Sequence, residues 1–309
     1  MINISNFNLI TPVAFVIFNR PNTTKRVFEE IRKARPSKLL VIADGPRDNR
    51  PDDIENCMIA RDIIEGVDWN CEVLKNYSDV NLGCGRRPAT GFDWIFSLVE
   101  EAIILEDDCL PHPTFFPYCQ ELLEKYRDDG RIMSISGDNF QFGRRRTNDS
   151  YYFSRYNQTC GWATWRRVWE KYDFDMKLWP KVRDGQWLFD VFGSIQSVTR
   201  GNQRQIEAIG GMNVAQYWQR MFEIVYAKKI DAWDFQFTFA SLLQSGLHIL
   251  PNVNLISNIG YGIGGTHTKN EDSPFANLPV TAMDFPIRHP DFIIRDAWAD
   301  ACLQATNFA

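Results

Sequence analysis

The sequence has 309 residues, 44% of them hydrophobic and 24% charged, which is typical of a folded globular protein with a sizeable core. A formal net charge of -5 gives no electrostatic reason to expect nucleic acid or an anionic membrane as the main partner. No apolar run approaches the roughly 20 residues that cross a bilayer, and the N-terminus lacks a signal-peptide pattern. We therefore expect a cytoplasmic protein, either free or peripheral at the inner face of the membrane. The seven cysteines form no C-x-x-C pair, so reduced thiols are expected rather than a zinc site or a disulfide framework.

The first half of the chain alternates strand and helix signals, which predicts an α/β fold whose mostly parallel sheet is flanked by helices. Apolar runs short enough to be buried strands occupy 13–18, 39–43 and 102–105. In open α/β sheets ligands bind at the carboxyl ends of the strands, so the polar residues after these runs are expected to converge. Those residues are Asn19-Arg20, Asp44 and Glu106-Asp107-Asp108.

The acidic triplet Glu106-Asp107-Asp108 directly follows a buried strand. Three adjacent carboxylates repel one another, and burial makes each charge costly. A hard cation relieves both costs, since Mg²⁺ or Mn²⁺ is held by one or two carboxylates together with substrate phosphates. The alternative interpretation is a solvated acidic turn. The triplet by itself therefore predicts no more than a possible cation site.

Composition changes near residue 140. Eight of the ten tryptophans lie after residue 150, and glycines mark the segment of about 183–215 as a flexible insertion. We predict that 1–140 and 141–309 form two halves of one domain, the second of them rich in aromatic residues. No internal repeat is found.

Seven short motifs occur in an order that resembles the GT-A glycosyltransferases, which have a Rossmann-like fold. The similarity is greatest to the branch that includes N-acetylglucosaminyltransferase I and bacterial enzymes of surface-polysaccharide synthesis. It extends from about residue 11 to 270. The motifs are F-N-R-P (18–21), A-D-G-P (43–46), N-L-G-C-G-R-R (81–87), I-I-L-E-D-D-C-L-P-H-P-T-F-F (103–116), G-W-A-T-W-R-R-V-W (161–169), W-D-F-Q (233–236) and N-I-G-Y-G (258–262).

The resemblance implies a metal-dependent transfer of a sugar from a nucleotide-sugar donor, with UDP favoured, to a glycan or lipid-linked glycan acceptor. It makes 1–140 the donor half and 141–309 the acceptor half. Asp108 would bind Mn²⁺ or Mg²⁺, and His267, which follows a glycine-rich stretch, would be a second metal ligand or a structural histidine. The donor-binding residues would be Asn19, Arg20, Asp44, Arg86, Glu106 and Asp107. The start of the helix that carries Arg86 also suits an anion such as the diphosphate.

A transfer that inverts the anomeric centre needs a general base for the acceptor hydroxyl. Asp234, next to Trp233 and before an apolar helix, is the predicted base, and its alternative role is to cap that helix. Trp162 and Trp233 are predicted to contact the acceptor. Trp162, Trp165 and Trp169 also have helical spacing, so core packing is the competing interpretation.

Two other functions fit parts of the same pattern. A sugar nucleotidyltransferase would share the sheet, the metal and the sugar, but it would be expected to have a glycine-rich loop where Asn19-Arg20-Pro21-Asn22 stands. A carbohydrate-binding protein without catalytic activity would not need both the intact triplet and Asp234.

Overall fold

The computed structural model describes residues 7–193, 195–200, 203–208, 212–262, 270 and 272–307. It confirms the predicted mixed α/β architecture, a Rossmann-like, mostly parallel sheet flanked by helices. The strands are β1 Val13–Ile17, β2 Lys38–Ala43, β3 Glu72–Tyr77, β4 Glu101–Glu106, β5 Cys109–Pro111, β6 Ile132–Ser136, β7 Tyr151–Ser154, β8 Trp162–Trp165, β9 Ile195–Arg200, β10 Gln203–Ala208, β11 Leu247–Pro251 and β12 Ile256–Asn258.

Ten α-helices lie in the described part of the chain. They are α1 Pro21–Ala34, α2 Pro51–Asp62, α3 Gly83–Leu98, α4 Phe115–Lys125, α5 Arg166–Trp169, α6 Trp179–Asp184, α7 Trp187–Phe192, α8 Met212–Tyr226, α9 Asp234–Leu243 and α10 Ala297–Asn307. In these ranges no helix is both long and apolar enough to span a bilayer.

The main sheet has eight strands in the order β3-β2-β1-β4-β8-β6-β11-β7. The first four are parallel, β8 is antiparallel to both of its neighbours, and β7 is antiparallel to β11. The strand order reverses between β1 and β4, and the register pairs Val16 with Glu106. This reversal is the position at which open α/β sheets bind ligands.

Strands β1, β2 and β4 are buried on both faces, which explains their continuous apolar sequences, whereas β3 is only partly buried. Helix α1 covers one part of the sheet with Val27, Phe28 and Ile31, which recur at helical spacing. Helix α3 likewise buries Phe92 and Ile95. These helices hold the strand ends in fixed positions around the crevice.

The aromatic half contributes a second hydrophobic cluster. Trp179, Trp218 and Phe222 pack there against α9 and α10 residues such as Phe239 and Leu303. Within the predicted insertion, β9 and β10 form a two-stranded antiparallel ladder.

One local prediction differs from the structure. Trp162, Trp165 and Trp169 have helical spacing in sequence, but β8 ends at Trp165 and α5 begins at Arg166. All three rings are buried. The competing interpretation as core is therefore correct, although the single helix is not.

Candidate functional site

A cavity of about 430 Å³ lies at the carboxyl edge of the parallel strands. Its walls come from the ends of β1, β2 and β4, the first turn of α3, the loop before β8 and the segment 231–234. The predicted convergence of Arg20, Asp44 and the acidic triplet is therefore observed, because all of these residues line this one space.

The guanidinium of Arg20 pairs with two of the three carboxylates of the acidic triplet. Its Nη2 atom lies 2.6 Å from Asp107 Oδ1, and its Nη1 atom lies 2.8 Å from Asp108 Oδ2. The backbone N–H of Phe18 donates to Asp107 Oδ2 at 3.1 Å. The chain passes so close to this ion pair that a Cβ atom at Gly260 would overlap both Asp108 and Arg20. The triplet is therefore a buried, internally paired group rather than a solvated acidic turn.

Burial is the main cause of the raised pKa values of the Glu106 and Asp107 carboxyl groups. It raises the pKa of Glu106, and the nearby charges of Asp108 and Asp107 raise it further. It also raises the pKa of Asp107, which the Arg20 guanidinium partly offsets. Two carboxyl groups in the cavity thus hold their protons more tightly than isolated side chains do.

A pH dependence of stability follows from the raised pKa of Glu106. The folded protein keeps this proton above the ordinary pKa of about 4.3, where the unfolded chain has lost it. The free energy of unfolding therefore falls as pH rises from that value toward the raised folded-state pKa, by up to about 1.4 kcal/mol per pH unit for each proton kept. Urea unfolding between pH 5 and 8 in a chelating buffer measures this.

In Glu106→Gln we expect a shallower fall of stability with pH than in the wild type. Glu55→Gln, on the exposed face of α2, is the control and should keep the wild-type slope. Equal slopes in all three proteins would show that Glu106 does not titrate in this way.

The first turn of α3 is capped by carboxylates from two distant segments. Asp44 accepts the N–H groups of Leu82 at 2.9 Å and Gly83 at 3.0 Å, and Asp231 accepts that of Gly85 at 3.1 Å. The prediction that this helix start receives the donor diphosphate is thus not supported, because three of its amides are already occupied. Asp44 lines the cavity as predicted, with its carboxylate engaged in these bonds.

Of the two arginines at the start of α3, Arg87 lines the cavity and Arg86, which was predicted to bind the donor, does not. Arg86 is exposed, and its guanidinium lies 5.1 Å from the centre of the Phe174 ring, outside the cavity lining. Arg87 is buried, lines the cavity and donates to Ala43 O at 3.1 Å and to Asn76 Oδ1 at 2.8 Å. Arg86 as a donor-binding residue is therefore not supported by its position.

Asn19 also turns away from the cavity. Its Nδ2 atom donates to Asp53 Oδ1 at 2.6 Å, and Asp53 is paired with Arg47. Asn19 is not among the cavity-lining residues, whereas Arg47 is. The asparagine therefore supports the wall of the cavity through Asp53, and its predicted donor contact is not supported.

Asp234 and Trp233 line the same cavity as the triplet. Asp234 is the first residue of α9, and the helix-capping position is held by Trp233 without a side-chain hydrogen bond. The charge of Asp234 reaches the triplet, because it contributes to the raised pKa of Glu106. Asp234 thus stands both at the start of α9 and in the cavity, and its two predicted roles, base and helix cap, stay predictions.

Trp162 is a core residue in this structure. Its side chain is fully buried, and its ring stacks on Trp233 at a centroid distance of 5.5 Å and also contacts Phe92 and Phe237. A ring without exposed surface offers no face to a sugar. The prediction of Trp162 as an acceptor contact is therefore not supported, whereas Trp233 reaches the cavity.

The carboxylate oxygens of the triplet fit a divalent cation only in part. Oxygen ligands suit Mg²⁺ and Mn²⁺, but Arg20 occupies both Asp107 and Asp108. Among the described residues, no group of three His, Cys, Asp or Glu side chains is placed to hold a metal. A cation at Asp108 would therefore need further oxygens from a substrate. His267, the other predicted ligand, lies outside the described residues.

Two thiols at the floor of the cavity were not predicted. Cys109 Sγ and Cys160 Sγ are 2.9 Å apart, and the Cys109 thiol also lies near Asp108 Oδ1. Their sequence positions gave no signal, because the two cysteines are 51 residues apart and meet only in the folded structure. Asp231 was missed for the same reason, although it stands three residues before Asp234 in the segment D-A-W-D.

Comparison of the chain with known protein families and with curated proteins finds no match. Among solved structures, the chain is similar to residues 1–349 of TarS from S. aureus, with 8% identity and a TM-score of 0.40 over 79% of this chain. The chain spans 58% of that structure, less than two thirds of its length.

It is also similar to a UDP-glucose pyrophosphorylase complexed with UDP-glucose, with 12% identity and a TM-score of 0.32 over 78% of this chain and 90% of that one. A third similar structure is a 4-diphosphocytidyl-2C-methyl-D-erythritol synthase from Anaerococcus prevotii, with 8% identity and a TM-score of 0.31 over 53% of this chain and 77% of that one. Values this low do not decide a function, which must come from the residues of the cavity.

Proposed function

We propose that this protein is a GT-A glycosyltransferase that transfers a sugar from a nucleoside-diphosphate donor, UDP-linked by preference, to a glycan acceptor. The observation that carries the proposal is the arrangement of Arg20, the acidic triplet and Asp234 around one cavity at the strand reversal. The guanidinium of Arg20 and several carboxyl groups thereby face a space that can hold a nucleotide sugar. A role in cell-surface polysaccharide synthesis is part of this proposal.

Arg20 and Asp108 would receive the donor's diphosphate in this proposal. The guanidinium already lies in the cavity, so an entering diphosphate can share it with the two aspartates that it pairs now. Asp108 would then hold Mn²⁺ or Mg²⁺ together with diphosphate oxygens, since such ions are commonly bound by one or two carboxylates plus substrate phosphates. When bound, the metal would neutralise negative charge on the leaving diphosphate.

Asp234 would act as the general base. It lies in the same cavity as the triplet, on a different element, so it can take the proton of an acceptor hydroxyl while the donor is held by Arg20 and Asp108. This division of roles corresponds to inversion of the anomeric centre. Glu106, whose raised pKa keeps it protonated, would donate a hydrogen bond to a donor hydroxyl.

A thermal-shift screen of nucleotide sugars with and without Mn²⁺ tests the proposal. The correct donor should raise the melting temperature by mass action, and Mn²⁺ should increase that rise. In Asp108→Asn the Mn²⁺-dependent part should disappear, while Asp175→Asn, on an exposed loop, should behave as the wild type. Release of pyrophosphate from a sugar 1-phosphate and a nucleoside triphosphate would instead establish a nucleotidyltransferase. A donor effect that Mn²⁺ leaves unchanged would contradict the role of the metal.

A further inference from the structure

A second cavity, of about 350 Å³, adjoins the first. Thr159, Cys160 and Asn258 line both spaces, so the two are continuous along the loop before β8 and the end of β12. No part of the acidic triplet lines the second cavity. It is therefore a separate subsite next to the site that is proposed for the donor.

Asp138, just after β6, is the unusual residue of this second cavity. Only 3% of its surface is exposed, and burial raises the pKa of its carboxyl group well above the usual range, with the backbone N–H of Cys160 as a partial offset. Within the described ranges no Lys, Arg or His lies at ion-pair distance from it. Burial thus favours the neutral form of the carboxyl group, which can both donate and accept a hydrogen bond.

The backbone around Asp138 is held in place by its neighbours. The N–H of Gly137 donates to Gly161 O at 2.8 Å, and the N–H of Leu255 donates to Gly137 O at 2.9 Å. The N–H of Asp138 itself donates to Ser136 Oγ at 3.1 Å. The side chain of Asp138 is buried and lines the cavity, and these hydrogen bonds hold its backbone. Such an arrangement suits contact with a ligand rather than with solvent.

Aromatic rings and neutral polar groups make up the rest of the lining. Phe140 and Phe275 meet edge to face at 4.9 Å between ring centroids, and Tyr261 lines the same cavity. Gln158 and Thr159 add amide and hydroxyl groups, and among the described residues no basic side chain lines this cavity. Aromatic surface combined with a few uncharged hydrogen-bonding groups suits a ring that is apolar on its faces and carries hydroxyls at its edge.

We propose that this second cavity is the acceptor subsite, that it takes an uncharged pyranose unit, and that Asp138 binds a hydroxyl of that unit. The proposal rests on the proposed function, because only a sugar transfer requires an acceptor beside the donor. Asp138 is a binding residue in this scheme, and proton removal stays with Asp234. This subsite replaces Trp162, whose ring is buried, as the expected contact surface for the acceptor.

Titration of the full chain with neutral methyl glycopyranosides, followed by saturation-transfer NMR, tests the proposal. At least one glycoside should bind the wild type. Asp138→Asn and Phe275→Ala should each weaken it by about five- to tenfold, as expected for the loss of one buried hydrogen bond or one stacking face. UDP binding, measured by calorimetry in the same proteins, should change less than about twofold.

Two variants outside both cavities serve as controls. Asp300→Asn alters another buried carboxyl group, and Phe292→Ala removes an exposed ring. Glycoside binding that is absent from the wild type, or equal in wild type, Asp138→Asn and Phe275→Ala, would overturn the acceptor subsite. If Asp138→Asn fails to fold, as judged by its thermal melt, Phe275→Ala decides alone. Absence of UDP binding in the wild type would overturn the proposed function instead, so the two failures are distinguishable.

Discussion

Replacing Asp234 with Asn is expected to lower the rate of sugar transfer by about 10²–10⁴-fold, the usual loss when a general base is removed. Donor affinity should stay within about twofold, because the proposed diphosphate contacts are Arg20 and Asp108 and not Asp234. Initial rates at saturating donor, together with calorimetric binding of the donor, separate the two quantities. Asn keeps the size of the side chain and loses its ability to accept a proton.

Asp231→Asn is the matched control for this change. Asp231 lines the same cavity, but its carboxylate accepts the N–H of Gly85, and an Asn side chain still offers an oxygen there. Its effect on the rate should be much smaller than that of Asp234→Asn. Equal losses in both variants would mean that Asp234 contributes only negative charge to the cavity. An unchanged rate in Asp234→Asn would exclude it as the base.

Replacing Arg20 with Met is expected to give the largest loss of stability among the site variants, about 3–5 kcal/mol in the free energy of unfolding. The change leaves Asp107 and Asp108 buried without their cation, and their side chains are only 2% and 10% exposed. The pKa of Asp107, which the Arg20 guanidinium now lowers in part, should then rise further. Because the folded state would hold this proton more tightly, the loss should be larger at pH 8 than at pH 5.

Urea unfolding at both pH values measures the effect. Arg32→Met is the control, since Arg32 pairs with Asp68 at the surface, where both side chains are about half exposed and the pair contributes little. A loss from Arg20→Met that is the same at pH 5 and pH 8 would show that protonation of the aspartates does not compensate for the missing guanidinium.

The sequence predicted which strand ends meet because that follows from a strong local signal. Continuous apolar runs identify parallel strands, and parallel strands with covering helices place their carboxyl ends at one edge. The contact of Arg20 with Asp107 and Asp108 is a direct result of this rule. Residue identity and strand order were sufficient here, and no side-chain detail was needed.

Side-chain direction was harder to predict. Arg86 and Arg87 differ by one position, which is a rotation of about 100° on a helix, and the start of α3 was not known from sequence to that accuracy. Trp162, which follows Gly161 in the sequence, was predicted to contact the acceptor. Its burial depends on Trp233 and Phe237, which are distant in sequence. Such tertiary contacts leave no local pattern.

The capping of α3 by Asp44 and Asp231 has a consequence for motions of the protein. Two carboxylates from distant parts of the chain hold the same helical turn, Asp44 at the amides of Leu82 and Gly83 and Asp231 at that of Gly85. Hydrogen exchange at Leu82 and Gly83 therefore follows release of the Asp44 segment, and exchange at Gly85 follows release of the Asp231 segment. The exchange rates of the amides in the first turn of α3 therefore measure how often the cleft opens and whether a bound ligand keeps it closed.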